Sequence, residues 1–478
     1  MRIDLQNWID HCINTLIANF KDNDDATMLI KCFVTQYELN ALRIIENKAK
    51  FNENYNLHYY KQKIKNSVIK KEVKEVAFSG FDDKLDILFW PFQKSHFDVQ
   101  IKIYNQLQNI KLSTAIVSHN HPVNSLINSQ IVNGGIVINN LDHVWVDYKK
   151  IACYKELISS INNLPNFAYN NKSIRFKTLF LRSLNAWYWL YVQTTAIFNK
   201  MVSTYKPRVI FVGNSISLVG NLIGHLAQKK QIKACCIMHG RMNDYVQFGC
   251  FDYFYVFGKN DKNNMINNGI SEEKIIISGS PKIDEFLKTN KNSPKKSSKY
   301  VLIALSGSGH SITEKHHIAI LEMIYQVAAQ LDAINFKFKL HRKDKIEYYK
   351  KLDTLKNTSI YKYGDASVSS NIYDWIKDAN MLITGASTTA LDAMLLNCAV
   401  ITIDLFEHLK NVDFIEQNVS LHSTNIEQLL VNINIVLEQG EILKNHIETI
   451  NGFIKGYYAQ PEVGSLTLIE NHIKSILK

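Results

Sequence analysis

The spacing of apolar residues changes character twice along this chain. Over the first 75 residues they recur at helical intervals, in Trp8 and Ile9, Ile13, Leu16 and Ile17 and again from Met28 to Ile45. That spacing predicts an N-terminal helical extension over residues 1–75. From Leu85 the pattern becomes LDILFWPF, an unbroken apolar run ended by Pro91, followed by the helical pattern DVQIKIYNQLQ and a second run, STAIVSHN. Strand, helix and strand in that order make a βαβ unit, and apolar runs without alternation belong to parallel strands covered on both faces. The aromatic segment 152–206 predicts a buried helix, and Arg182, Asn185 and Gln193 within it argue against a membrane span.

The same rhythm continues through RVIFVGNS (208–215), SLVGNLIGHLAQKK, KACCIMHG (233–240), DYFYVFG (252–258), NDKNNMINNG and KIIISGSP (274–281). A polar, basic, proline-containing stretch at 287–299 interrupts it. Beyond this linker come YVLIALSG (300–307), a helix over about 314–332, the strands NFKFKLH, SIYKYG, NMLITGA and AVITIDL, and a terminal helical pattern, SLTLIENHIKSIL. Two successive α/β domains follow, 76–290 and 291–478, each a doubly wound sheet with its ligand loops at the carboxyl ends of the strands. The length of 478 residues accommodates two cores, because single cores stop growing at about 250–300 residues.

Composition adds little about fold and more about setting. Hydrophobic residues make up 46% and charged residues 21%, the balance of a globular protein. The cysteines are seven and scattered, without a CxxC pair, as expected of a reducing compartment. The alternating N-terminus matches neither a signal peptide nor an anchor, so a cytoplasmic location is expected. The formal net charge is +11, with lysines clustered at 61–74, 291–299 and 337–351. Such runs are either solvated helix faces or sites of attraction to an anionic acceptor or to the inner face of the plasma membrane. Nucleic acid is not expected as a partner, since no recognised binding module accompanies the charge.

Several strand ends carry groups suited to an anion. LSGSGHS places Ser306, Gly307, Ser308, Gly309 and His310 between a strand and a helix, where backbone N–H groups can approach phosphate oxygens. KLHRKD brings Lys339, His341 and Arg342 to the next strand end, and an arginine fork binds phosphate bidentately. GASTTALDA carries Gly385, Ser387, Thr388 and Thr389 into a helix start, with Asp392 one turn on. An N-cap box has the same composition, and both roles are compatible. In the first half, His96 and Asp98 follow the first strand, and His239 and Gly240 end CIMHG. The H-x-H at His119 and His121 lacks a third ligand at a recognisable spacing, so no metal site is expected.

Together these segments, over residues 85–478, resemble GT-B bacterial surface-polysaccharide glycosyltransferases, in particular the sialyl-, Kdo- and CDP-glycerol-type transferases of capsule and lipopolysaccharide. KIIISGSPKIDEF is similar to their G-[NS]-P-x-x-D segment near the domain junction, matched by Gly279, Ser280, Pro281 and Asp284. KLHRKD is similar to their K-x-H-P, with Arg342 in place of proline, and STTALDA to their S-[ST]-x-x-x-[DE]-A. The resemblance implies two Rossmann-like domains facing a cleft, with an acceptor domain at 76–290 and a nucleotide-donor domain at 291–478. It implies a metal-independent transferase without a cofactor, moving a sugar from a nucleotide-activated donor, a CMP-linked acidic sugar for preference, to a glycan or lipid-linked acceptor. His96, Asp98 and His239 are then the candidate catalytic groups, with His96 and His239 favoured. Three alternatives stay open: a non-hydrolysing nucleotide-sugar 2-epimerase, a CDP-glycerol-type polyol-phosphate transferase and a non-catalytic nucleotide-binding module. The epimerase ranks low, because its H-x-E-A-G-x-R stretch is here MHGRM and it has no R-P-E.

Overall fold

The computed structural model describes residues 2–22, 27, 30, 84–118, 121–131, 135–137, 154–169, 172–215, 217–239, 250–290, 300–307, 312–342, 344–369, 371–385, 387–406, 409, 412–459 and 463–478. Most of the expected N-terminal extension lies outside these residues, as do His119, Gly240, Ser308, Gly309, His310 and the lysine clusters at 61–74 and 291–299. The chain divides into two compact units, one comprising 1–288 with 459–478 and the other 289–458.

The first unit opens with helix α1 (Arg2–Asn19). Its Trp8 Nε1 donates to Pro165 O at 2.8 Å, and its ring rests on Phe167 and Phe176. The sheet follows with β1 (Ile87–Trp90), α2 (Lys94–Asn109), β2 (Thr114–Ser118), α3 (His121–Gln130) and β3 (Gly135–Val137). After α4 (Tyr154–Asn162) and the antiparallel pair β4 (Phe167–Tyr169) and β5 (Lys172–Ile174) comes the long α5 (Phe176–Tyr205). Then come β6 (Val209–Val212), α6 (Leu218–Lys229), β7 (Lys233–Ile237), β8 (Tyr253–Val256), α7 (Lys259–Asn267), β9 (Ile275–Ile277) and α8 (Pro281–Asn290). The strands lie in the order β3-β2-β1-β6-β7-β8-β9, all parallel. Strands β1, β2 and β6 are buried along their whole length, which is why their sequences are continuous apolar runs. The order reverses between β1 and β6, so the carboxyl ends of those strands form a switch point open to a ligand. The segment 152–206, expected as a buried helix, is instead α4, the β4–β5 pair and α5, whose Phe198 stacks on Trp90 while Asn199, Lys200, Ser203 and Thr204 stay exposed. Among the described residues no helix is long and apolar enough to cross a membrane.

The second unit repeats the plan with β10 (Tyr300–Ile303), α9 (Glu314–Gln330), β11 (Asn335–Lys339), β12 (Thr358–Tyr361), α10 (Ile372–Asp378), β13 (Met381–Thr384), α11 (Thr388–Leu395) and β14 (Ala399–Ile403). It continues through α12 (Asp413–Glu416), β15 (Leu421–Ser423), α13 (Ile426–Glu438) and α14 (Glu441–Tyr457). The parallel order is β12-β11-β10-β13-β14-β15, with its switch point between β10 and β13. Near the edge, β11 alternates, turning Phe336 and Phe338 inward, while Lys337 lies over the Tyr300 ring. Strand β15 is too short to stand out in the sequence and gains its place by pairing with β14.

The final helix α15 (Ser465–Ile476) differs from the expectation of a second domain running to the terminus. Its Ile469, Ile473 and Leu477 enter the core of the first unit beside Ile87, Phe89 and Ile103. A helical pattern shows which face is apolar but not which sheet covers it. His472 Nδ1 is 2.8 Å from the buried Tyr255 hydroxyl, and burial lowers the pKa of this histidine from 6.5. The unfolded chain therefore binds the proton more readily than the folded one, so stability is present above pH 6.5 and is lost as pH falls below it. Denaturant midpoints taken from about pH 7.5 down to about pH 5 should fall more steeply for the wild type than for His472→Gln, which still accepts from Tyr255 without titrating.

Candidate functional site

In the first unit, the two favoured histidines meet. His96 stands in the first turn of α2, fully buried, with its ring edge-on to Phe92 and 4.2 Å from that of His239. Neither ring nitrogen of His96 finds a hydrogen-bond partner. Between them lies the end of β6. A Cβ on Gly213 would fall 2.4 Å from His96 Cγ, so only glycine lets the imidazole come this close. Just past β7, His239 Nδ1 is 2.6 Å from Gly213 O. A carbonyl oxygen only accepts, so Nδ1 carries the proton and Nε2 of the neutral ring offers its lone pair. Burial lowers the His239 pKa, Lys282 lowers it further, and the bond to Gly213 partly offsets them. Burial and then the charge of His239 hold His96 well below the usual imidazole range. The pair is thus two neutral imidazoles near pH 7, one of them tautomerically fixed as a proton acceptor.

Asp98 does not join them. It is half-exposed on the outer side of α2 and ion-paired to Lys94 at 2.8 Å, one turn back. Among the described residues, no carboxylate hydrogen-bonds or ion-pairs with either imidazole, and no group of three or more His, Cys, Asp or Glu could hold a metal ion.

In the second unit, the ends of β10 and β13 are tied together. Ala304 N donates to Ile383 O at 3.1 Å, and the buried Thr384 hydroxyl donates to Ala304 O at 2.6 Å. Ser306 and Gly307, which has φ 70°, follow the tied end of β10, and Gly385 and Ser387 follow that of β13. Ser387 is the N-cap of α11, its Oγ accepting from Thr389 N at 3.2 Å and lying 3.1 Å from Thr389 Oγ1. On the other side of β10, β11 is followed by His341, half-buried, and Arg342, exposed. His341 N donates to Asp344 Oδ2 at 2.7 Å and its O accepts from Asp344 N at 2.9 Å, closing the turn.

Two residues of the expected donor grip are engaged elsewhere. Lys339 Nζ donates to Ser369 O at 3.1 Å and lies over the Trp375 ring, and burial lowers its pKa. Asp392 is buried in α11, where its Oδ1 accepts from the Tyr373 hydroxyl at 3.1 Å. In the Gly279, Ser280, Pro281 segment, Pro281 starts α8, the position where its missing N–H costs nothing. Asp284 Oδ2 accepts from Ser465 N at 2.7 Å, so this carboxylate caps the incoming α15. Gly213 and Asp344 were not selected from the sequence. The GNS after a buried strand was the signal for the first, and the acid closing KLHRKD was the signal for the second.

No protein-family model matches the chain, and neither does any curated protein. Solved structures match by fold. The S. aureus MnaA structure with UDP aligns at TM-score 0.55 and 12% identity over 82% of this chain and 96% of that one. The UDP-GlcNAc 2-epimerase of Methanocaldococcus jannaschii, in complex with UDP-GlcNAc and UDP, aligns at 0.52 and 16% over 81% and 99%. The glycotransferase of kitacinnamycin aligns at 0.50 and 8% over 82% and 99%. At such identities the likeness is one of fold, and the fold is GT-B: two Rossmann-like α/β domains of parallel strands.

Proposed function

We propose that this chain is a glycosyltransferase that takes its sugar from a nucleotide-activated donor. The observation that carries this reading is that Ser306 and Gly307, His341 and Arg342, and Gly385, Ser387, Thr388 and Thr389 follow the ends of three adjacent strands at the switch point of the second sheet. Hydroxyls, a basic strand end and the positive end of α11 there suit a nucleotide phosphate and its departing charge, without requiring a metal. UDP or UDP-GlcNAc is bound in two of the solved structures of this fold. His239, neutral and presenting Nε2, supplies the base that takes the acceptor proton. The net charge of +11 suits an anionic surface glycan or an acceptor at a membrane face. The sequence resemblance favours CMP as the donor nucleotide and the bound ligands of those structures favour UDP.

The second reading, a 2-epimerase, draws on the UDP-GlcNAc 2-epimerase among those structures. It lacks support in the histidine pair, which has no carboxylate partner among the described residues. Thermal shifts with CMP, CDP, UDP and GDP test the shared premise, since a ligand at 100 times its dissociation constant adds about 2.7 kcal/mol. Ser387→Ala and His341→Ala should each weaken the stabilising nucleotide by about tenfold, the worth of one charge-assisted hydrogen bond. No stabilisation by any of the four, or unchanged shifts in both variants, would overturn the reading. Product analysis separates the classes: a transferase releases the nucleotide, an epimerase returns it attached to the altered sugar, a polyol-phosphate transferase releases CMP from CDP-glycerol, and a binding module turns over none of them.

A further inference from the structure

Beneath the turn that carries His341 and Arg342 lies a buried polar cluster that the proposed function leaves unused. Asp344, whose Oδ2 accepts from His341 N at 2.7 Å, has only 1% of its side chain exposed. Its other oxygen, Oδ1, lies 3.2 Å from Nε2 of His317, which is wholly buried on α9, and the Tyr349 hydroxyl bonds to the same carboxyl group. Nδ1 of His317 is without a hydrogen-bond partner, and the Tyr349 hydroxyl is 3.4 Å from Nε2. Burying a carboxylate against an imidazole that keeps one nitrogen unpartnered is costly, and apolar side chains of the same shape would hold α9 against the sheet more stably. Such a cost is tolerated where it fixes a geometry that packing alone would leave loose.

We propose that His317 and Asp344 are positioning residues for anion binding, locking the strand-end turn so that His341 and Arg342 are held ready for the donor phosphate. The inference rests on the phosphate reading of that turn given above. Asp344 closes the turn through the His341 amide, and His317 prevents Asp344 from swinging out to water. The entropy of ordering the turn is then met during folding and not at each binding event, which is how preorganisation raises affinity.

Isothermal titration of the full chain with CMP, CDP, UDP and GDP, well below the melting temperature, tests the proposal. Asp344→Asn and His317→Leu should each raise the dissociation constant of the tightest of these nucleotides by about tenfold, whereas His317→Gln, whose amide still reaches Asp344, should restore most of the affinity. Val436→Ala, in the core of the same unit, should lower the melting temperature and leave the dissociation constant unchanged. If His341→Ala weakens binding while Asp344→Asn and His317→Leu bind as the wild type does, the positioning role is overturned and the phosphate reading stands. If Val436→Ala weakens binding as much as His317→Leu, the effect is general destabilisation and the positioning role is again overturned. If His341→Ala binds unchanged, the phosphate reading falls and the positioning role falls with it.

Discussion

His239→Ala is expected to lower kcat by about 10²- to 10⁴-fold, the range for loss of a general base, with nucleotide affinity unchanged. The split follows from location: His239 belongs to the first unit and the groups proposed to bind phosphate belong to the second. The pH profile gives a sharper criterion. The base works deprotonated, and burial and Lys282 lower its pKa from 6.5 against the opposing bond to Gly213. The acid limb of kcat/KM should therefore fall below pH 6.5 in the wild type and disappear in His239→Ala. A wild-type limb above that value, or an alanine variant as active as the wild type, would exclude His239 as the base.

Gly220→Ala should damage the same centre from a distance. Gly220 is in the first turn of α6, and a Cβ there would lie 1.7 Å from the backbone oxygen of Asn214. Backbone cannot yield as a flexible side chain does, so the turn that presents Gly213 O to His239 must move. Overpacking of this kind costs about 1–3 kcal/mol, and the displaced oxygen belongs to Asn214, the residue next to Gly213, whose own carbonyl fixes the His239 tautomer. Loss of both melting temperature and kcat is expected. Two controls calibrate it: Ser217→Ala removes only the N-cap that accepts from Gly220 N, worth about 1 kcal/mol, and should spare kcat. Gly452→Ala, exposed in α14 with nothing within 4 Å of the added carbon, should stabilise by about 0.4–1 kcal/mol. If Gly220→Ala matched Gly452→Ala in stability and kcat, the close approach would have no consequence for the site.

Much of this protein is written locally in its sequence. The unbroken apolar runs ILFW, VIFV and MLIT became buried parallel strands, and the 287–299 linker lies where one unit gives way to the next. Glycine and hydroxyl residues after the strands marked the carboxyl ends, and Ser387 is indeed a helix cap. Periodicity carries that far because burial on both faces imposes apolar residues at every position of a strand, whatever the neighbours are.

What the sequence could not decide was partnership. Asp98 and His96 are two residues apart, yet helical geometry turns one to Lys94 at the surface and the other into the core. Lys339 and His341 are neighbours in a motif, but the first lies over Trp375 and the second closes a turn on Asp344. His96 meets His239 across 143 positions of sequence, and α15 returns to the first unit to be capped by Asp284, because these contacts depend on sheet order and on where helices dock. Strand order and helix docking are set by the sum of many long-range packing terms, which no local window contains.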